Sequence, residues 1–381
     1  MKLILEWTHS LTYNWFKNKH MFKFFICLLL LSLSTSILGQ SKTENVFLIT
    51  LDGLRWEELF GGAVDSMMLS EDLTKETEEV LLNFGSSNPI EGREKLMPFF
   101  WSTIAKEGQL YGNRWVGNKV NCTNRFWFSY PGYNEILTGY SDPTIDSNDK
   151  IYNPNITVLE WLNKMTEYQG RVAAFGSWDV FPYIINDRRS GIPVNAGFRK
   201  AQDEYLTYKE QVLNELQDEI PRGWSTVRWD AFTHHYMMEY VKKHRPKVVY
   251  ISYGETDDFA HDGRYDHYLN SAHQTDQWIA DIWSFIESDP YYSGKTSLLI
   301  TTDHGRGNNP MSEWKSHGTI YKGSNAIWIA ALGPDIAARG MVETNEQLLQ
   351  SQVAATLAAI LGLDYKPSTF EAGTSIKSIV D

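Results

Sequence analysis

Apolar residues in this chain gather in short runs that stop abruptly at polar, glycine-bearing turns: VFLITLDG (46–53), RVAAFGSWD (171–179), KVVYISYGETDD (247–258), SLLITTDHG (297–305) and AIWIAALG (326–333). Runs of this length with little polar alternation suit strands buried on both faces, because a parallel sheet is covered by helices above and below. Helix-like segments separate them at 157–165, 230–243, 271–286 and 346–361. The pattern predicts a doubly wound α/β fold, with a mostly parallel central sheet and helices on both faces. Ligands of such sheets bind outside the carboxyl ends of the strands, which is where the Asp-bearing turns fall. Residues 191–226 are polar, mix charges and lack a clear strand signal; they predict a helical excursion over the sheet that shapes access to it. No internal repeat or long low-complexity linker interrupts the pattern, so residues 41–381 are expected to form one domain.

The first forty residues follow another rule. MFKFF (21–25) is a short basic opening, 26–33 is a nearly unbroken apolar run, and 34–39 is small and weakly polar. This predicts a secretory signal, too short to span a membrane stably, preceded by an over-extended start of twenty residues. A retained anchor is the alternative. A cleaved signal implies a periplasmic or secreted protein with no stable membrane span, and leaves Cys122 as the only cysteine and no internal disulfide. The 381-residue chain carries a formal charge of −12. That charge argues against a nucleic-acid duplex as partner, since binding phosphate backbones needs a basic surface. A small anionic substrate stays open if a local positive centre exists. The sequence does not set the oligomeric state.

Candidate chemistry lies in the turns. Asp52 precedes Gly53 at the end of one apolar run; alone, it reads equally as a turn residue. Asp257 and His261 are four apart, on one face of a helical turn, though their acidic neighbours also suit a solvated turn. Asp303 and His304 end another run, and His317 follows thirteen residues later in EWKSHGT. Together these are three Asp and three His of the kind that bind zinc. Asp257, His261 and His317 can hold one ion; Asp52, Asp303 and His304, with the oxygen of Ser129, can hold a second. Paired divalent ions clamp the attacking and leaving oxygens of an in-line displacement. Three carboxylates against two divalent ions leave the site at +1, so an acidic protein can bind phosphate. Ser129 itself, in RFWFSYPGYNEILTG (125–139), has two readings: a cap for the helix that begins there, or a nucleophile at a helix N-terminus, where the dipole favours an alkoxide and an anionic substrate.

In this order the motifs LDG, FSYPGYNEILTG, TDDFAH, DHG and SHG resemble the alkaline phosphatase superfamily, and within it the branch of nucleotide pyrophosphatases and phosphodiesterases. The resemblance spans most of residues 41–381. In that branch the nucleophile, commonly threonine, lies ten residues before the Gly of a TG pair, and Ser129 stands ten before Gly139. It implies two zinc ions, Ser129 as nucleophile, a phosphoryl-serine intermediate and a phosphodiesterase or related phosphohydrolase acting on a small phosphate ester. It also implies an asparagine that donates to a non-bridging phosphate oxygen; Asn148 is the candidate, with Asn153 and Asn155 as substitutes. Sulfatases of the superfamily place their modified residue in a C/S-x-P-x-R setting, which SYPGY does not continue. INDRRSGIPVNAG (185–197) loosely resembles a DRSA-like segment of some periplasmic alkaline phosphatases, whose arginine contacts the extra charge of a monoester. Arg189 matches that arginine, but no lysine precedes it, and a solvated arginine pair is the plain alternative. The balance favours diesters. A phosphomonoesterase, a phosphonate hydrolase and a non-catalytic phosphate-ligand binding protein are the other readings.

Overall fold

The structure is a computed structural model that describes residues 42–380; the expected export signal in 21–40 lies outside the described residues. Eight strands form the main sheet. They are β1 (Asn45–Leu51), β2 (Gln109–Tyr111), β4 (Val172–Gly176), β5 (Val194–Ala196), β6 (Val248–Tyr253), β7 (Thr296–Thr301), β9 (Ile329–Leu332) and β10 (Gly340–Met341), in the order β10-β2-β9-β7-β1-β6-β4-β5. Three short strands, β3 (Lys119–Asn121), β8 (Ala326–Ile327) and β11 (Gln347–Leu349), make a second sheet. In the main sheet β1 is central and parallel to β6 and β7, pairing Leu51 with Tyr253 and Thr50 with Thr301. Only β9 runs antiparallel to its neighbours there. The five apolar runs are all strands, as expected for a sheet buried on both faces.

Alternation along each central strand divides the core in two. Phe47, Ile49 and Leu51 of β1 join Val249, Ile251 and Tyr253 of β6 and Leu298 and Ile300 of β7 on one face. Helices Asp230–His244 and Tyr265–Ser288 cover that face, with Tyr236, Met237, Val241, Leu269, Ile279 and Ile282 in the same cluster. Val46, Leu48, Tyr250 and Leu299 face the other side, under helices Ser129–Thr138, Val158–Asn163 and Val353–Ile360. Residues 191–226 do contain a helix, Tyr208–Glu219, begun by a capping box of Thr207 and Glu210. They also contain β5, which adds to the sheet edge beside β4. Its three residues are too few for a hydrophobic period to register. No described helix is long and apolar enough to cross a membrane.

Two buried carboxylates fix the helix that starts at Ser129 and the segments around it. Glu135 accepts from the backbone N–H of Thr123 at 2.8 Å and of Asn124 at 2.7 Å, and from Asn124 Nδ2, tying the aromatic loop before Ser129 to the helix after it. Glu160, fully buried, receives Arg189. Arg189 Nε and Nη2 donate to its carboxylate, while Nη1 and Nη2 also donate to the carbonyls of Asn153, Pro154 and Asn155. Every N–H of the guanidinium is therefore engaged. Arg189→Ala should destabilise the protein by about 2 kcal/mol, because a buried carboxylate loses its main partner while Lys164 remains to moderate the loss. Urea unfolding at constant m-value measures it; a change below about 0.5 kcal/mol would show that the clamp contributes only packing.

Candidate active site

The carboxyl ends of three neighbouring parallel strands deliver most of the site. Asp52 follows β1; helix Glu255–His261 begins just past β6 and sets Asp257 and His261 one turn apart; Asp303 and His304 follow β7. That helix is oriented by a reciprocal contact. Asp230 accepts from the N–H groups of Gly254 at 2.8 Å and Glu255 at 3.0 Å, and Glu255 Oε1 accepts from the N–H of Asp230 at 2.8 Å. His317 arrives from the turn after the short 3-10 segment Met311–Lys315, whose Trp314 is buried edge-on against Tyr265 and Tyr268. Ser129 comes from the other side, and Gly132 explains its reach: a Cβ there would lie 2.4 Å from the carbonyl oxygen of Asp303. Without a side chain at 132, the helix seats directly on the DHG turn.

The six Asp and His residues fall into two groups, Asp257–His261–His317 and Asp52–Asp303–His304. In the first, His261 Nε2 is 3.0 Å from His317 Nε2 and 3.2 Å from Asp257 Oδ2. In the second, His304 Nε2 is 3.3 Å from Asp52 Oδ1 and 3.4 Å from Asp303 Oδ2. Donors on a tetrahedron of radius about 2.0–2.1 Å, the usual zinc distances, lie about 3.3 Å apart. The groups also stand side by side, with the His304 and His317 rings stacked at 3.9 Å.

Each member of the second group has one atom held by the protein and another turned inward. Tyr133 OH donates to Asp52 Oδ2 at 2.8 Å, the N–H of Gly53 donates to Asp303 Oδ1 at 3.1 Å, and His304 Nδ1 donates to the carbonyl of Gly305 at 2.9 Å. Their inward partners, Asp52 Oδ1 and Asp303 Oδ2, are buried and have no hydrogen-bond partner among the described residues. Outer contacts that fix a ligand while leaving its donor atom free are the usual support of a metal site, so the residues present fit divalent cations. Electrostatics agree. Burial, and then the charge of Asp257, raise the Asp52 carboxyl; burial and Asp52 raise Asp303 well above the carboxylate range. Burial works against protonation of His304, but Asp303 and Asp52 outweigh it and hold the ring at about 9. Burial and His304 push His317 well below its ordinary value.

Ser129 is the first residue of its helix, not the cap. The residue ahead of it, Phe128, is extended and offers no side-chain bond. The N–H of Tyr130 is satisfied from outside by Asn148 Oδ1 at 3.0 Å, and Pro131 has no N–H to satisfy. Ser129 Oγ instead faces His304 Nε2 at 3.4 Å, with the residue only 5% exposed. The loop leading to it holds Trp127 at φ 53°, a strained value for a non-glycine residue. Asn124 Oδ1 steadies it by accepting from the N–H groups of Phe126 and Trp127.

Asn148 thus stands at the Ser129 end of the helix, and its Nδ2 has no partner among the described residues. Asn153 and Asn155 do not share that position, since both donate to Asn134 Oδ1 within a buried network. Arg189 is not brought to the ligand groups, because its donors are held by Glu160 and three carbonyls. Sequence reasoning passed over Tyr133, Gly132 and Arg306. Arg306 is buried and pairs with Asp257; a basic residue two places after His304 was its only signal.

No family model matches the chain, and no curated protein matches it. Solved structures do match in shape. The alkaline phosphatase PafA superposes with a TM-score of 0.56 at 10% identity, covering 91% of this chain and 100% of that one. The lipoteichoic acid synthase LtaP of Listeria monocytogenes gives 0.53 at 12% identity, over 86% of this chain and 74% of its own. An inactive variant of a murine ectonucleotide pyrophosphatase/phosphodiesterase, in complex with AMP, gives 0.51 at 11% identity, over 85% and 96%. At such identities the likeness lies in the fold: this chain shares the overall fold of these proteins.

Proposed function

We propose that the protein is a metal-dependent hydrolase of small phosphate esters that uses Ser129 as its nucleophile. The observation that carries this reading is the position of Ser129 Oγ: buried, at a helix N-terminus, and facing the Asp52–Asp303–His304 group. Two divalent cations, zinc by their nitrogen and oxygen donors, would be held by the two ligand groups and when bound would supply Lewis-acid stabilisation of developing charge. The remaining steps belong to the chain. The Ser129 oxygen attacks phosphorus, aided by the positive end of its helix; the ester P–O bond breaks, the alcohol leaves carrying the hydroxyl proton, and water then hydrolyses the phosphoryl-serine to restore the hydroxyl and release the phosphate product. The amide of Asn148, anchored by its oxygen to the N–H of Tyr130, donates to a non-bridging phosphate oxygen.

The exposure of the two groups supports a direction for the substrate. Asp52, Asp303 and His304 are buried, whereas the side chain of His261 is 46% exposed. The organic part of the ester therefore lies on the His261 side, open to solvent. With Arg189 engaged by Glu160, that arginine offers nothing to the extra charge of a monoester, which supports a preference for diesters. The AMP bound by the murine phosphodiesterase, itself a phosphate monoester, supports only the wider class of small phosphate esters. Export to the periplasm or beyond rests on the apolar pattern of residues 21–40.

Three outcomes are expected. Ser129→Ala should lower turnover of bis-nitrophenyl phosphate at least about a thousandfold, roughly 4 kcal/mol of transition-state stabilisation, with its unfolding midpoint unchanged. A loss of about 1 kcal/mol of stability with activity intact would return Ser129 to a capping role. Elemental analysis should find two zinc ions per chain in the wild type and one in His317→Ala, whose hydrolysis falls with the lost ion; full metal and activity in that variant would remove His317 from the site. Mono-nitrophenyl phosphate should be the poorer substrate, and a reversed preference would assign the monoester charge to a cation other than Arg189.

A further inference from the structure

Among the described residues, Arg306 is the one buried cation beside the candidate metal ligands, and its contacts have a pattern. Its Nη1 donates to Asp257 Oδ1. Its Nε donates to the carbonyl of Trp314 and its Nη2 to that of Lys315 at 2.7 Å. Those two carbonyls lie three and two residues ahead of His317, and the N–H of Gly307 donates to the carbonyl of the intervening Ser316 at 2.9 Å. One planar group thus joins the carboxylate of one ligand to the backbone that delivers another. His261, the third member, is set by helical spacing from Asp257. Trp314 anchors the 311–317 segment to the core through its ring, and Arg306 ties the backbone of that segment to Asp257 by hydrogen bonds.

The surroundings are shaped for this arginine. Gly53 has φ 59°, and a Cβ there would lie 2.7 Å from Arg306 Nη1 and 3.0 Å from Asp257 Oδ1. The glycine after Asp52 is therefore required both by its turn and by the passage of the guanidinium. With Oδ1 engaged, Asp257 turns Oδ2 towards His261 Nε2 at 3.2 Å.

From this geometry we infer that Arg306 is a positioning residue for the Asp257–His261–His317 site: it orders two of the three ligands before an ion binds. The inference rests on the metal-site reading above. A cation so close also opposes the charge of an arriving ion, so preorganisation and repulsion pull in opposite directions. Preorganisation wins here because all three nitrogens of the fork are held, two of them by backbone carbonyls. Lysine keeps the charge and loses the fork; methionine keeps much of the length and loses both.

Chelator competition separates these effects. In Arg306→Lys and in Arg306→Met, the affinity of one of the two zinc sites should fall by about tenfold or more, the usual effect of losing an outer-shell partner, while the other changes by less than about threefold. In a His317→Ala background, Arg306→Lys should leave the remaining site within about threefold. Metal-free protein gives an independent reading: amide exchange across 311–317 should accelerate in both variants, with the exchange of β1 and β7 unchanged. Tighter zinc binding in Arg306→Met would mean that the arginine acts only as a competing charge and would overturn the inference. So would unchanged affinity in both variants, or equal weakening of both sites. A wild-type protein that binds no zinc would instead remove the metal-site reading, and in that case unaltered exchange across 311–317 would remove the positioning role as well.

Discussion

Three carboxylates, Asp52, Asp257 and Asp303, lie together at the ends of β1, β6 and β7, two of them fully out of solvent's reach or nearly so. Unit like charges 4 Å apart repel by about 4 kcal/mol at an effective dielectric of about 20, and burial adds a desolvation cost to each. A fold accepts such a cluster only if positive charge is supplied to it. Arg306 supplies one unit, and the inward-facing oxygens of Asp52 and Asp303 are placed to receive more from divalent cations. Much else in the structure serves to hold these groups against their repulsion. Tyr133 and the N–H of Gly53 each fix one carboxylate oxygen, Asp230 fixes the start of the helix bearing Asp257 and His261, and Gly132 lets the helix that begins at Ser129 rest on the DHG turn.

The double-sided core is what makes this placement possible. Strands β1, β6 and β7 are apolar on both faces, so their register is fixed by two packed layers, and the polar residues immediately beyond them inherit that precision. Loops alone would not hold six ligands with donor atoms about 3 Å apart. The division of labour also accounts for the burial gradient: the Asp52–Asp303–His304 group sits in the interior beside Ser129, while His261 looks outward to solvent.

Much of this was legible in the sequence. Abrupt apolar runs marked the central strands, and helical spacing put Asp257 and His261 on one face. Strand-end turns identified Asp52, Asp303 and His304 as neighbours in space. What escaped notice depends on partners distant along the chain. The DRRS turn reads alike whether Arg189 meets solvent, substrate or a buried carboxylate; the decisive partner, Glu160, is 29 residues away in a different helix. Arg306 pairs with a residue 49 positions earlier, and β5 has three residues and no period of its own. Ser129 was ambiguous because a cap and a nucleophile occupy the same place in sequence. Only the bond from the N–H of Tyr130 to Asn148 shows that the capping work is done by another residue.

The most direct test of this account is an acid quench of the enzyme during turnover of a phosphodiester, followed by mass spectrometry of its peptides. The account predicts on Ser129 the substrate's phosphoryl group, still bearing its second ester group, absent from chelator-treated protein and from Ser129→Ala. A phosphoryl group on another residue, with turnover continuing in Ser129→Ala, would contradict it.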